Sequence, residues 1–142
     1  MLFDRDPRRV AVWLVRILTN WEGRVKDLSV EEQNTVIWRI AGEPIWLGFF
    51  LGRDSGISFE EQVEILNAAK CVSLAIPKLH ALEQPMENGY FMRWDILAKQ
   101  IATAELAAKC LQILEELSLH PDKRVQYAAL HGLGHLGYLR AD

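Results

Sequence analysis

Apolar residues recur along this chain at the spacing of an α-helix. Val10, Trp13, Leu14, Ile17, Leu18 and Trp21 stand at i, i+3, i+4, i+7, i+8 and i+11, which places them in one stripe. Asp6 is positioned to cap that helix, with Pro7 at its first position where a missing N–H costs nothing, and Gly23 is expected to end it. A second helix opens at Ser29, which forms an S-x-x-E capping box with Glu32; Val36, Ile37 and Ile40 line its inner side and Gly42 closes it. Pro44 starts a short helix, Pro-Ile-Trp-Leu-Gly-Phe-Phe-Leu, hydrophobic all round and so expected at the centre of a core or an interface. Gly52 to Gly56 form a polar turn. Ser58 and Glu61 then repeat the capping box and start a long helix through Ile65, Ala69, Val72, Ile76 and Leu79, which Pro77 should kink or end.

The polar stretch from Glu83 to Gly89 reads as a loop, and Tyr90, Phe91, Trp94, Leu97, Ala98 and Ile101 resume the helical spacing. Thr103 can cap the next helix, whose apolar side is Leu106, Cys110, Ile113, Leu114 and Leu117. The turn Ser-Leu-His-Pro-Asp leads to a last helix from about Asp122 to Leu139. The alternating pattern of a strand is found nowhere. These features predict a single all-α domain over residues 1–142, a compact bundle or short α-solenoid of about seven helices with short connections.

Composition narrows the function classes. A chain of 142 residues, 50% hydrophobic and 25% charged, has the balance of an ordinary globular domain. Sixteen Lys and Arg against 19 Asp and Glu give a net charge of -3, which argues against a dedicated duplex-nucleic-acid binder. A local basic excess exists up to Lys26, where Arg5, Arg8, Arg9, Arg16, Arg24 and Lys26 face only Asp4, Asp6 and Glu22. Cys71 and Cys110 are far apart in apolar helical contexts, without disulfide-framework or metal-ligand spacing, and read as small core residues of a reducing compartment. Charged residues interrupt the N-terminus where a signal peptide would need an apolar run, and the apolar stretch Ile45 to Leu51 is too short to span a membrane. A cytoplasmic protein without a membrane segment is expected.

The segment Asp-Lys-Arg-Val-Gln-Tyr-Ala-Ala-Leu-His-Gly-Leu-Gly-His-Leu-Gly (122–137) resembles the second helix of a HEAT repeat. Asp122, Val125, Ala128, Ala129, Leu133, Gly134, Leu136 and Gly137 fall on the family pattern, and Gln126 departs from it, where the family usually has an Arg that ladders with the Asp. With the preceding helix the resemblance covers about residues 104–139, and no second copy at a 34–47 residue period is found upstream. Independently of the family, Val125, Ala128, Ala129, Gly132, Leu136 and Leu139 share one helix face, whose small residues let another helix come close.

Beside that face runs a second stripe: Arg124, Tyr127, His131, His135 and Tyr138, at i, i+3, i+7, i+11 and i+14. The resemblance implies that this helix lines a concave surface, which would aim the stripe into a groove suited to stacking and to anion recognition. The stripe is the candidate partner-binding site. Its histidines can also be read as boundary residues, or as two metal ligands on one helix side; the latter reading needs a third ligand, from His80, His120 or Asp95, and lacks the Glu that zincins place after the first His. HEAT-fold metalloenzymes such as deoxyhypusine hydroxylase use His-Glu pairs, and the chain has no His-Glu dipeptide. Neither a metal nor any other cofactor is expected. With no G-x-S-x-G or comparable constellation, no catalytic residue is assigned, and the five tryptophans read as core. The expected function is a non-enzymatic interaction module that docks a protein or peptide on a groove lined by the last helix. Nucleic-acid binding or processing, as in HEAT-like DNA glycosylases, is the alternative.

Overall fold

The computed structural model describes residues 6–42, 49–80 and 88–139. Among them are six helices of 13 residues or more: α1 (Pro7–Thr19), α3 (Val30–Gly42), α5 (Phe59–Leu74), α7 (Asn88–Gln100), α8 (Ala104–Ser118) and α9 (Lys123–Leu139). Three short helical segments join them: α2 (Trp21–Val25), α4 (Phe49–Leu51) and α6 (Ile76–Leu79). No strand occurs among the described residues, and the protein is an all-α bundle. None of its described helices is long and apolar enough to cross a membrane.

Polar side chains set the helix starts. Asp6 accepts from the Arg8 N–H at 3.0 Å. Ser29 and Glu32 form a reciprocal box at 2.8 and 3.1 Å, and Ser58 and Glu61 form another at 3.0 and 3.1 Å. Thr103 accepts from the Leu106 N–H at 3.3 Å. Pro77 ends α5 as expected: the helix stops at Leu74, and α6 restarts with the proline in its first turn.

The first helix differs from its sequence pattern. It stops at Thr19, with Asn20 as C-cap, and Gly23 lies inside α2 instead of closing α1. Trp13 is 51% exposed, because Val10, Leu14, Leu18 and Ala11 define the buried arc and Trp13 stands roughly 100° round the helix from Leu14. Trp38 is also exposed, so only Trp21 and Trp94 of the described tryptophans are core. Trp46 and the start of the Pro44 helix lie outside the described residues; that run ends in α4, where Phe50 and Leu51 are buried. The expected loop from Glu83 is also mostly outside them, and α7 already begins at Asn88.

Helix pairings run α1 to α5, α5 to α8, α8 to α9, α9 to α7 and α7 to α3. Because α7 lies between α3 and α9, it buries residues nearly all round: Tyr90, Arg93, Trp94, Asp95, Leu97 and Ala98. Tyr90 ties it to the N-terminal half, accepting from the Trp21 indole N–H at 3.0 Å and donating to the Gln33 side-chain oxygen at 2.8 Å. Arg93 donates to the Ser73 hydroxyl and lies over the Trp94 ring, 5.3 Å from its centroid; burial pulls its pKa down to about 10. The Trp94 indole N–H donates to the same hydroxyl at 3.0 Å. On α9, Val125, Ala128, Ala129, Gly132 and Leu136 are buried, as their spacing implies. Gly132 is required there, because a Cβ would sit 2.7 Å from Trp94 Cβ and 3.3 Å from Leu114 Cδ1.

Candidate functional site

The α9 stripe is drawn apart by its surroundings. Tyr127 is 55% exposed. Arg124 folds back on the helix start: its guanidinium donates to both Asp122 carboxylate oxygens at 3.1 and 2.8 Å and to the His80 carbonyl at 3.3 Å. His131 and His135 turn toward α7, and the side chain of Tyr138 lies outside the described residues.

Asp122 is the N-cap of α9 as well as the Arg124 partner, accepting from the Arg124 N–H at 2.9 Å. The Arg124 side-chain hydrogen bonds, helped by the backbone N–H groups of Arg124 and Val125, hold its carboxyl below the usual carboxylate value. A depressed folded pKa means that this stabilisation is complete above the unfolded value and fades as pH falls through the folded one. Asp122→Asn, which keeps a cap, should therefore cost about 1–2 kcal/mol at pH 7. Urea melts of both proteins should converge as the pH is taken below about 4.

The histidine pair meets Asp95. His135 Nδ1 is 3.1 Å from Asp95 Oδ1, and His131 Nε2 is 3.9 Å from Asp95 Oδ2. The Asp95 side chain is 3% exposed, whereas those of His131 and His135 are 27% and 39% exposed, so the cluster opens to solvent on the imidazole side. Phe91, one turn before Asp95, stacks on the His131 ring at 4.6 Å. Lys99, one turn after it, reaches Oδ1 at 3.5 Å. Of the three candidate third ligands, the structure brings Asp95 to the pair. His120 instead accepts from the Asp122 N–H through Nδ1 in the α8–α9 turn, and the His80 ring packs edge-on against Tyr90.

The opposite side of α9 lines a groove. Ala104, Ala107, Ala108 and Leu111 of α8 with Leu136 and Gly137 of α9 enclose about 360 Å³, and no polar side chain is among them. Leu111 and Leu130 are exposed on this side of the hairpin. The sequence reading missed this feature although a signal exists: Ala104, Ala108 and Leu111 stand at i, i+4 and i+7 on α8, outside its core stripe. A second hollow of about 310 Å³ lies on α1 among Arg8, Arg9, Val12, Trp13 and Arg16, where the N-terminal basic excess meets an exposed tryptophan. Burial pushes the Cys110 thiol up to about 12, which leaves it unreactive.

The chain matches no known protein family, no curated protein and no solved structure.

Proposed function

We propose that the protein is a non-enzymatic interaction module that docks an amphipathic helix of a partner protein in the α8–α9 groove. The observation that supports this reading is the groove itself: open, apolar, and lined by small residues that admit a second helix backbone. A small molecule would need convergent polar groups to orient it, and the lining has none. Of the exposed ionisable side chains of α8, Glu116 is paired with Lys70 at 2.6 Å, which leaves Glu105, Glu115 and Lys109, a slightly acidic balance that favours a helix with Lys or Arg beside its apolar face. The resemblance of this hairpin to a HEAT repeat agrees with such a role.

A photo-crosslinking residue at Ala108 or Gly137 should capture one partner, whose helix, made as a peptide, binds the purified protein. Gly137→Trp fills the groove without touching the core, since nothing lies within 4 Å of a Cβ there, and should weaken binding at least tenfold. Crosslinks only to a second copy of this chain, or unchanged affinity in Gly137→Trp, would refute the proposal. The nucleic-acid alternative has its own support in the α1 patch. It predicts instead affinity that collapses between low and moderate salt and that is lost on changing Arg9 and Arg16.

A further inference from the structure

We infer that Asp95, His131 and His135 form a binding site for a first-row divalent metal ion, independent of the groove and on another side of α9. One ligand atom from each residue lies within 4.8 Å of the other two. Ligands around a single ion at about 2.1 Å stand about 3.0–3.4 Å apart; His135 Nδ1 is already 3.1 Å from Asp95 Oδ1, and His131 Nε2, 3.9 Å from Oδ2, has to move in by about half an ångström. The ligands are also prepared for the role. His131 Nε2 is buried and makes no hydrogen bond among the described residues; Asp95 Oδ1, equally buried, makes none either and has the Lys99 ammonium at 3.5 Å and His135 Nδ1 at 3.1 Å beside it. The His131 ring is held by Phe91 on one side and meets the His135 ring edge-on at 4.6 Å. The carboxylate comes from the buried centre of α7 and the imidazoles from successive turns of α9, so an ion here would clamp the two helices.

The donor set fixes the class of ion. Two imidazoles and one carboxylate suit Zn²⁺, Fe²⁺ or Co²⁺ and are a poor match for Ca²⁺ or Mg²⁺, which prefer oxygen. Three protein ligands leave at least one position for water, on the side where the histidines are exposed. Lys99 is the competing cation: it sits at the same carboxylate, but half of its side chain is in solvent and it can swing away. The sequence alone suggests a metal-free chain, because its His-x-x-x-His lacks the Glu of zincins and leaves the third ligand open among His80, His120 and Asp95.

The experiment is titration of chelator-treated full-length protein with Zn²⁺ by calorimetry and with Co²⁺ by visible absorption. The expected result is one ion per chain, a Co²⁺ spectrum of low-symmetry nitrogen–oxygen ligation, and a raised thermal midpoint with Zn²⁺. His131→Gln and His135→Gln, both at partly exposed positions, should keep the helical circular dichroism and lose at least tenfold in affinity. Lys99→Met should tighten binding several-fold, a change that a merely structural ion-pair cluster would not produce. Absence of one-to-one binding, or an affinity unchanged from the wild type in both histidine variants, would overturn the inference.

Discussion

Trp94→Ala should remove about 3–5 kcal/mol, a large part of the 5–15 kcal/mol that holds a domain of this size together. Trp94 is fully buried at the crossing of α7 with α9, so truncation opens a cavity that two helices and Gly132 border. It also strips the Ser73 hydroxyl of one of its two donors, leaving the buried Arg93 as the other. The surroundings are poorly able to collapse, because Tyr90 on the same helix is pinned to Trp21 and Gln33. Guanidinium denaturation monitored by circular dichroism measures the loss; a cost under about 1 kcal/mol would mean that Trp94 is not a keystone of the core.

Gly132→Leu is the complementary change, and it should cost about 3 kcal/mol, the upper end for overpacking. The reason is where the clash falls. The new Cβ meets Trp94 Cβ, an atom next to the α7 backbone that no rotamer change can move. Gly134, two residues on, has nothing within 4 Å of an added Cβ. Gly134→Ala should therefore gain up to about 1 kcal/mol from helix propensity alone. Opposite signs at two glycines of one helix are expected in thermal melts. If Gly132→Leu melts with the wild type, α9 packs by another side.

The helices of this bundle were largely legible in its sequence, and their neighbours were not. Capping residues are local, so Asp6, Ser29, Ser58 and Thr103 announced their helices within four residues. The buried arc of α9 followed from spacing alone. What escaped was anything set by a third body. Trp13 and Trp38 count as apolar in any periodicity, yet each stands at the edge of its buried arc and stays half in solvent. Asp95 and Arg93 are charged and should face water on a two-sided helix; they are buried because α7 is covered by both α3 and α9. The same cause left Asp95 only one of three candidates to meet His131 and His135, since no pattern within one helix reports contacts to a residue 36 or more positions away. The groove was missed for a different reason: alanine and glycine on an outward face look like neutral surface until two helices place them side by side.

The proposed docking surface is the α8–α9 groove. Amide chemical-shift mapping tests it most directly, by titrating isotope-labelled protein with the crosslink-identified helix peptide. The largest shifts should fall on Ala104, Ala107, Ala108, Leu111, Leu136 and Gly137, and they should vanish in Gly137→Trp. Shifts centred on Arg9, Trp13 and Arg16, or spread without a focus, would contradict it.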